Sequence, residues 1–244
     1  MKFKNALASL CLLTISTTAN AGLINAGFET GDLTNWNSSG DVTVTSSISD
    51  FQTDNYGGIG AIDVFEGTYM AQLSAGTILA SSLASIMGTT ESALEATNGG
   101  VDATDGSLMY QSTSANVGDS FTFNWNFVEE DYLPWDDWAF YGVQYENNAT
   151  ELFKFASLGV TGPAQDANIN GWESLTYTAT QTGNFTFYFG VVNAGDTNLD
   201  STLFIDGITG TGSLQTDIQS VPEPSSLAIF GAALLGLLRL RKKA

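Results

Sequence analysis

The sequence predicts an all-β chain, an antiparallel β-sandwich carrying one short helical insertion. Three observations lead there. Short segments alternate apolar and polar residues, Gly, Asn and Asp punctuate them, and aromatic residues recur at every second position of the clearest ones. In chain order the segments are 41–45, 120–127, 138–145, 174–180, 184–192 and 202–206. Phe185, Phe187 and Phe189 show the logic: residues two apart share one face of a strand, so an aromatic row needs a core on that side only. Two sheets packed face to face provide such a core. One stretch departs from the pattern. Between Ile78 and Ala96, the residues Leu79, Leu83, Ile86, Met87 and Leu94 recur at helical spacing around Gly88, which predicts one or two short helices.

Both ends read as targeting segments. Residues 1–21 begin with Lys2 and Lys4, continue with an apolar run from Ala6 to Ile15, and finish with Ala19-Asn20-Ala21. That order is the order of a secretory signal helix, delivered through the Sec translocon and removed after Ala21. Cys11 is the chain's single cysteine and lies inside the signal, so the body expected at residues 22–220 has no thiol and no disulfide. Histidine is absent altogether, which excludes His-based triads and His-ligated zinc.

Charge is distributed unevenly. Between Gly22 and Ser220 there are 25 acidic residues against the single base Lys154, a net charge of −24. Such a body repels nucleic acid and anionic lipid and attracts cations. The C-terminal segment, 221–244, has three parts: Pro222-Glu223-Pro224, an apolar run from Leu227 to Leu238, and a basic end with Arg239, Arg241, Lys242 and Lys243. The prolines hold the motif extended. A helix of about 12 residues rises about 18 Å, short of the roughly 30 Å hydrocarbon core, so hydropathy alone leaves the run ambiguous. The basic end then reads as a cytoplasmic stop, with the body across the inner membrane.

This tripartite end resembles the PEP-CTERM sorting signal, a Pro-Glu-Pro motif before a short transmembrane helix and a basic cluster. The resemblance implies a precursor tethered transiently in the inner membrane, recognised by an exosortase at Pro222, Glu223 and Pro224, and delivered to the cell surface or an extracellular matrix of exopolysaccharide. Those three residues are then substrate and not catalyst. The segment from Gly22 to Trp36 also resembles the opening strand of jelly-roll carbohydrate-binding domains of the galactose-binding-like kind, and Leu203 to Ile208 resembles their last strand. The resemblance implies that the two strands lie together, with a carboxylate from each helping to hold a structural calcium ion; Glu29 and Asp206 stand at the matching positions.

Without histidine or a mature cysteine, candidate sites are built from oxygen. Asn193, Asp196, Asn198 and Asp200 place side-chain oxygens at alternate positions of a polar loop, as calcium loops do, although Ser201 and Gly207 depart from the EF-hand pattern. An ordinary Asx-rich turn has the same composition. The second candidate is the run Glu129, Glu130, Asp131, Asp136 and Asp137 around Tyr132, Trp135 and Trp138. Carboxylates beside aromatic rings suit calcium or sugar binding, a glycosidase pair, or an acidic loop whose rings pack on the sandwich. The reading that follows is a non-enzymatic exported envelope or matrix protein that binds calcium, glycan or both, with a glycan-active hydrolase using residues 129–137 as the alternative.

Overall fold

The computed structural model describes residues 22–53, 57–146, 148–157, 168–169 and 171–210. The expected signal helix, the sorting motif Pro222, Glu223 and Pro224, and the apolar run behind it lie outside the described residues. Among the described residues no helix is long and apolar enough to cross a membrane.

In chain order the strands and helices are β1 (Asn37–Ser39), β2 (Asp41–Thr45), β3 (Gln52–Thr53), β4 (Gly57–Gly58), β5 (Met70–Ser74), β6 (Ile78–Leu79), α1 (Ala80–Ile86) and α2 (Glu91–Ala96). They continue with β7 (Ala103–Ala115), β8 (Ser120–Glu129), β9 (Trp138–Tyr145), β10 (Glu151–Ser157), β11 (Asn168–Ile169), β12 (Glu173–Thr178), β13 (Gly183–Ala194) and β14 (Thr202–Gly210). One sheet has the order β1-β7-β13-β9-β10, with β6 also on β7; the other has the order β11-β8-β14-β5-β2, with β12 also on β8; β3 and β4 pair separately. The pairings are antiparallel, as expected for a sandwich.

The aromatic rows predicted from the sequence form the interface between the sheets. Phe121 and Phe123 of β8 meet Phe185, Phe187 and Phe189 of β13 edge to face, with centroids 4.8 to 5.3 Å apart. Edge-to-face contact sets the positive rim of one ring against the negative face of the next, adding about 0.5–1.5 kcal/mol per pair to the burial energy.

Both outer faces are partly covered as well. The helices occur where the spacing places them, and they press Leu83, Met87 and Leu94 onto the outward side of β7, β9 and β13 with Leu108, Trp138, Phe140 and Tyr188. Gly88 at φ +66° closes α1, a backbone state glycine adopts without Cβ conflict. On the other sheet, Phe51 and Ile62 cover Met70, Val128 and Phe204.

The opening segment corrects one expectation. Residues 22–36 form turns and bends instead of a strand. Gln111 takes over the pairing, since its side chain accepts from the Ile24 N–H at 2.6 Å and donates to the Ile24 carbonyl at 2.9 Å. The segment still runs beside the last strand, where Ile208 N–H donates to the Ala26 carbonyl at 3.2 Å.

Candidate functional site

Among the connections that pass from one sheet to the other at this end of the sandwich are β5 to β6, β8 to β9 and β13 to β14. The pairings Thr202 with Ser74, Thr202 with Val128, and Val192 with Trp138 fix these strand ends side by side. The 130–137 and 195–201 connections are therefore neighbours in space, although some sixty residues separate them in sequence.

They share a buried carboxylate. Asp137 is fully buried and accepts from Ala194 N–H at 2.9 Å and from the Ser201 hydroxyl at 2.8 Å. Ser201 in turn accepts from the Glu130 N–H at 3.2 Å. Burial pushes the Asp137 carboxyl well above its ordinary range, against the opposing effect of its two donors. Asn98, beyond α2, supports the loop from behind by donating to the Asp136 carbonyl at 2.8 Å, and Lys154 donates to Asn98 at 2.7 Å.

In front of this support lies a cavity of about 500 Å³, walled by Asp131, Tyr132 and Trp135 on one side and by residues 196–200 on the other. The Tyr132 and Trp135 rings stand edge to face, 5.0 Å apart, and both are half-buried. Burial raises the Asp131 carboxyl to about 6, helped by the nearby negative charge of Asp196 and opposed by the Tyr132 N–H. Leu199, on the opposite wall, has φ +61°, a left-handed conformation that costs a non-glycine residue of order 1–3 kcal/mol.

The two candidate sites of the sequence thus form a single pocket. Asp196, Asn198 and Asp200 line it. Asp196 accepts from Asn198 N–H at 2.9 Å, as in an Asx turn, and Asp200 accepts from the Asn193 amide at 2.7 Å. The same amide donates to Asp105 at 3.1 Å, a β7 residue that the sequence reading did not single out. Of Glu129, Glu130, Asp131, Asp136 and Asp137, only Asp131 lines the cavity, and Glu129, Glu130 and Asp137 are buried.

Glu29 and Asp206 come to a different place, the segment from Phe65 to Tyr69. Asp206 is fully buried and accepts from the N–H groups of Phe65, Glu66 and Gly207. Glu29 accepts from those of Thr68 and Tyr69. Burial raises Asp206 to about 6 in spite of these donors. Among the described residues no three carboxylates converge so as to hold a metal ion by themselves.

Fold and site together define an antiparallel β-sandwich with an acidic, aromatic-walled pocket at one end. Residues 220–243 match the PEP-CTERM protein-sorting motif. The motif implies an exported, membrane-anchored precursor that an exosortase processes. No curated protein matches the chain. Among solved structures, TmCBM61 in complex with beta-1,4-galactotriose is 16% identical with a TM-score of 0.43, covering 80% of this chain and 100% of that one. The CBM22-1 xylan-binding domain from Paenibacillus barcinonensis Xyn10C is 15% identical with a TM-score of 0.36, covering 79% and 96%. The K3 cleaved adhesin domain of Lys-gingipain from Porphyromonas gingivalis is 11% identical with a TM-score of 0.36, covering 80% and 99%.

Proposed function

We propose that the body is a non-enzymatic glycan-binding module, exported through the Sec translocon, sorted by its tail and retained at the cell surface or in an exopolysaccharide matrix. The observation that carries this is the pocket, in which the half-buried Trp135 and Tyr132 rings face a wall of polar side chains. Sugars present an apolar C–H face and a rim of hydroxyls, and a concave site with a few convergent polar groups and an aromatic floor matches both. Nothing in this reading requires chemistry: a hydrolase drawn from residues 129–137 has one carboxylate, Asp131, at the cavity. Screening the purified full chain, in mild detergent, against neutral, acidic and amino oligosaccharides tests the proposal. Saturable binding without release of reducing ends is expected. Binding to none of them removes the module reading, and release of reducing ends favours the hydrolase.

A structural calcium ion is the second component of the proposal, with Glu29 and Asp206 as its ligands in preference to the 196–200 loop. The support is that two carboxylates, one fully buried, grip one five-residue segment, while Lys154 is engaged with Asn98 and Ser157. An ionised carboxylate has about four acceptor directions, so the N–H donors leave capacity on each. Hard oxygen ligands without imidazole or thiolate select calcium or magnesium. The ion would neutralise the charge of the buried Asp206 carboxylate and of the more exposed Glu29.

A further inference from the structure

We propose that Lys154 is a positioning residue for the pocket: through the side-chain amide of Asn98 it holds the 130–137 connection, and with it the Trp135 ring, where a sugar would meet it. The inference rests on the reading of the pocket as a glycan site and concerns what sets its affinity. Lys154 lies on β10, paired with Phe140 of β9, outside the residues that line the cavity. It is the one base between residues 22 and 220, yet its ammonium group donates to two neutral acceptors, the Asn98 side-chain oxygen at 2.7 Å and the Ser157 hydroxyl at 3.0 Å. Asn98 is 6% exposed and passes the contact on, since its amide nitrogen donates to the Asp136 carbonyl at 2.8 Å. Hydrogen-bond polarity fixes this relay. An ammonium group can only donate and a backbone carbonyl can only accept, so a single orientation of the Asn98 amide satisfies both. Without the lysine, that orientation loses its anchor and a buried oxygen loses its donor.

Asp136 directly follows Trp135. The turn that carries both rings is bonded to itself, from the Trp135 N–H to the Tyr132 carbonyl at 2.9 Å and from the Asp136 N–H to the Pro134 carbonyl at 3.1 Å. Its far end is gripped twice by the segment that follows α2: Asn98 binds the Asp136 carbonyl, and the Thr97 hydroxyl accepts from the Trp138 indole N–H at 3.1 Å. The same segment holds the opposite wall, because the Gly195 N–H donates to the Asp102 carbonyl at 2.9 Å. Trp135 packs close over Gly195, where an added Cβ would lie 3.3 Å from the ring. Asn98 therefore helps set the separation of the two walls, and Lys154 sets Asn98. A ring already held in its binding position spares the ordering cost that association otherwise carries.

The test uses the full chain in mild detergent and begins with amide hydrogen exchange, which needs no ligand. Lys154→Met is expected to speed exchange over residues 131–136 by about tenfold while residues 185–191 of β13 stay unchanged. Lys154→Arg keeps a charged donor and is expected to keep the slow rate. Asn98→Asp separates a relay from a simple charge pair. It offers Lys154 a stronger partner but turns an acceptor toward the Asp136 carbonyl, so exchange over 131–136 is expected to rise as in Lys154→Met. Calorimetry then follows with cellohexaose, a galacturonate hexamer and a glucosamine hexamer. For whichever of these the unaltered protein binds, affinity is expected to fall by about threefold or more in Lys154→Met and Asn98→Asp and to be retained in Lys154→Arg. Unchanged exchange in Lys154→Met, or slower exchange in Asn98→Asp, overturns the inference. Faster exchange in β13 as well as in the loop marks a general loss of stability and also overturns it, as does unaltered affinity in a Lys154→Met protein whose loop exchanges faster. Binding of none of the three probes, with the exchange pattern as expected, counts against the glycan reading and leaves the positioning of the loop standing.

Discussion

Ser201 and Asp137 join the two connections that build the pocket: the Ser201 hydroxyl donates to the fully buried Asp137 carboxyl at 2.8 Å. A buried acceptor that loses its donor costs the desolvation of that group, about 1–3 kcal/mol. Ser201→Ala is therefore expected to lower stability by about that amount in a denaturant titration. A loss within experimental error would show that the pocket walls hold together without this bond.

The pH dependence of stability follows from the carboxyls raised by burial. Asp131 and Asp206 both lie at about 6 when folded, against an ordinary value of 3.8. The native state then binds more protons than the unfolded chain between those values, so stability is greatest below about 4 and is lost as pH rises toward 6. Asp137, raised well above its ordinary value by burial, acts in the same direction. In calcium-free buffer, the melting temperature is expected to fall from pH 4 to pH 7, and Asp206→Asn is expected to flatten the slope. A rising profile would contradict the burial of these groups.

Calcium should act against that loss at neutral pH. An ion at a hundred times its dissociation constant, bound to the native state alone, adds about 2.7 kcal/mol. Millimolar calcium is expected to raise the melting temperature at pH 7 well above matched magnesium. Asp206→Ala should abolish the difference, and Asp200→Ala should retain it. If instead Asp200→Ala abolishes it, the ion belongs to the 196–200 loop. Equal shifts from both ions would indicate charge screening and dismiss the site.

The strands most readable in the sequence were those with one face in the core and one more exposed. β2 falls at the predicted bounds and β12 nearly so, because DVTVT and its like can alternate only if one side is wetter than the other; β9 also falls at its predicted bounds, although both its faces are largely buried. β7, the longest strand, showed no alternation, since α1 and α2 bury its outward face and the sandwich buries its inward one. The opening segment misled for a local reason: the Gln111 side chain supplies the hydrogen bonds that a strand neighbour would. The pocket was legible only in halves. Residue types identified Trp135 and Asp131 on one loop and Asp196 and Asp200 on another, but which crossovers share an end is a property of sheet order, and Asp105 joins only through it.

Close packing between β9 and β13 gives a separate test. A Cβ on Gly190 would lie 2.4 Å from the Phe140 ring, so Gly190→Ala is expected to cost about 1–3 kcal/mol by overpacking. In the background of Phe140→Leu the same substitution should cost less. An equal cost in both backgrounds would place its origin in the backbone instead of the ring.

Processing tests the tail. Replacing Pro222, Glu223 and Pro224 with alanine is expected to leave export intact while a membrane-anchored precursor of undiminished size accumulates in the native host. Normal maturation of that variant would remove the motif from the account.

The central claim is that the aromatic pocket, and not some other exposed ring, holds the glycan. The most direct measurement compares oligosaccharide affinity in Trp135→Ala and in Phe153→Ala, the latter removing an aromatic ring that is 39% exposed on β10. Trp135→Ala is predicted to weaken binding by about tenfold or more with the fold retained by circular dichroism, while Phe153→Ala leaves affinity unchanged. Unchanged affinity in Trp135→Ala, or loss in Phe153→Ala alone, would contradict the account.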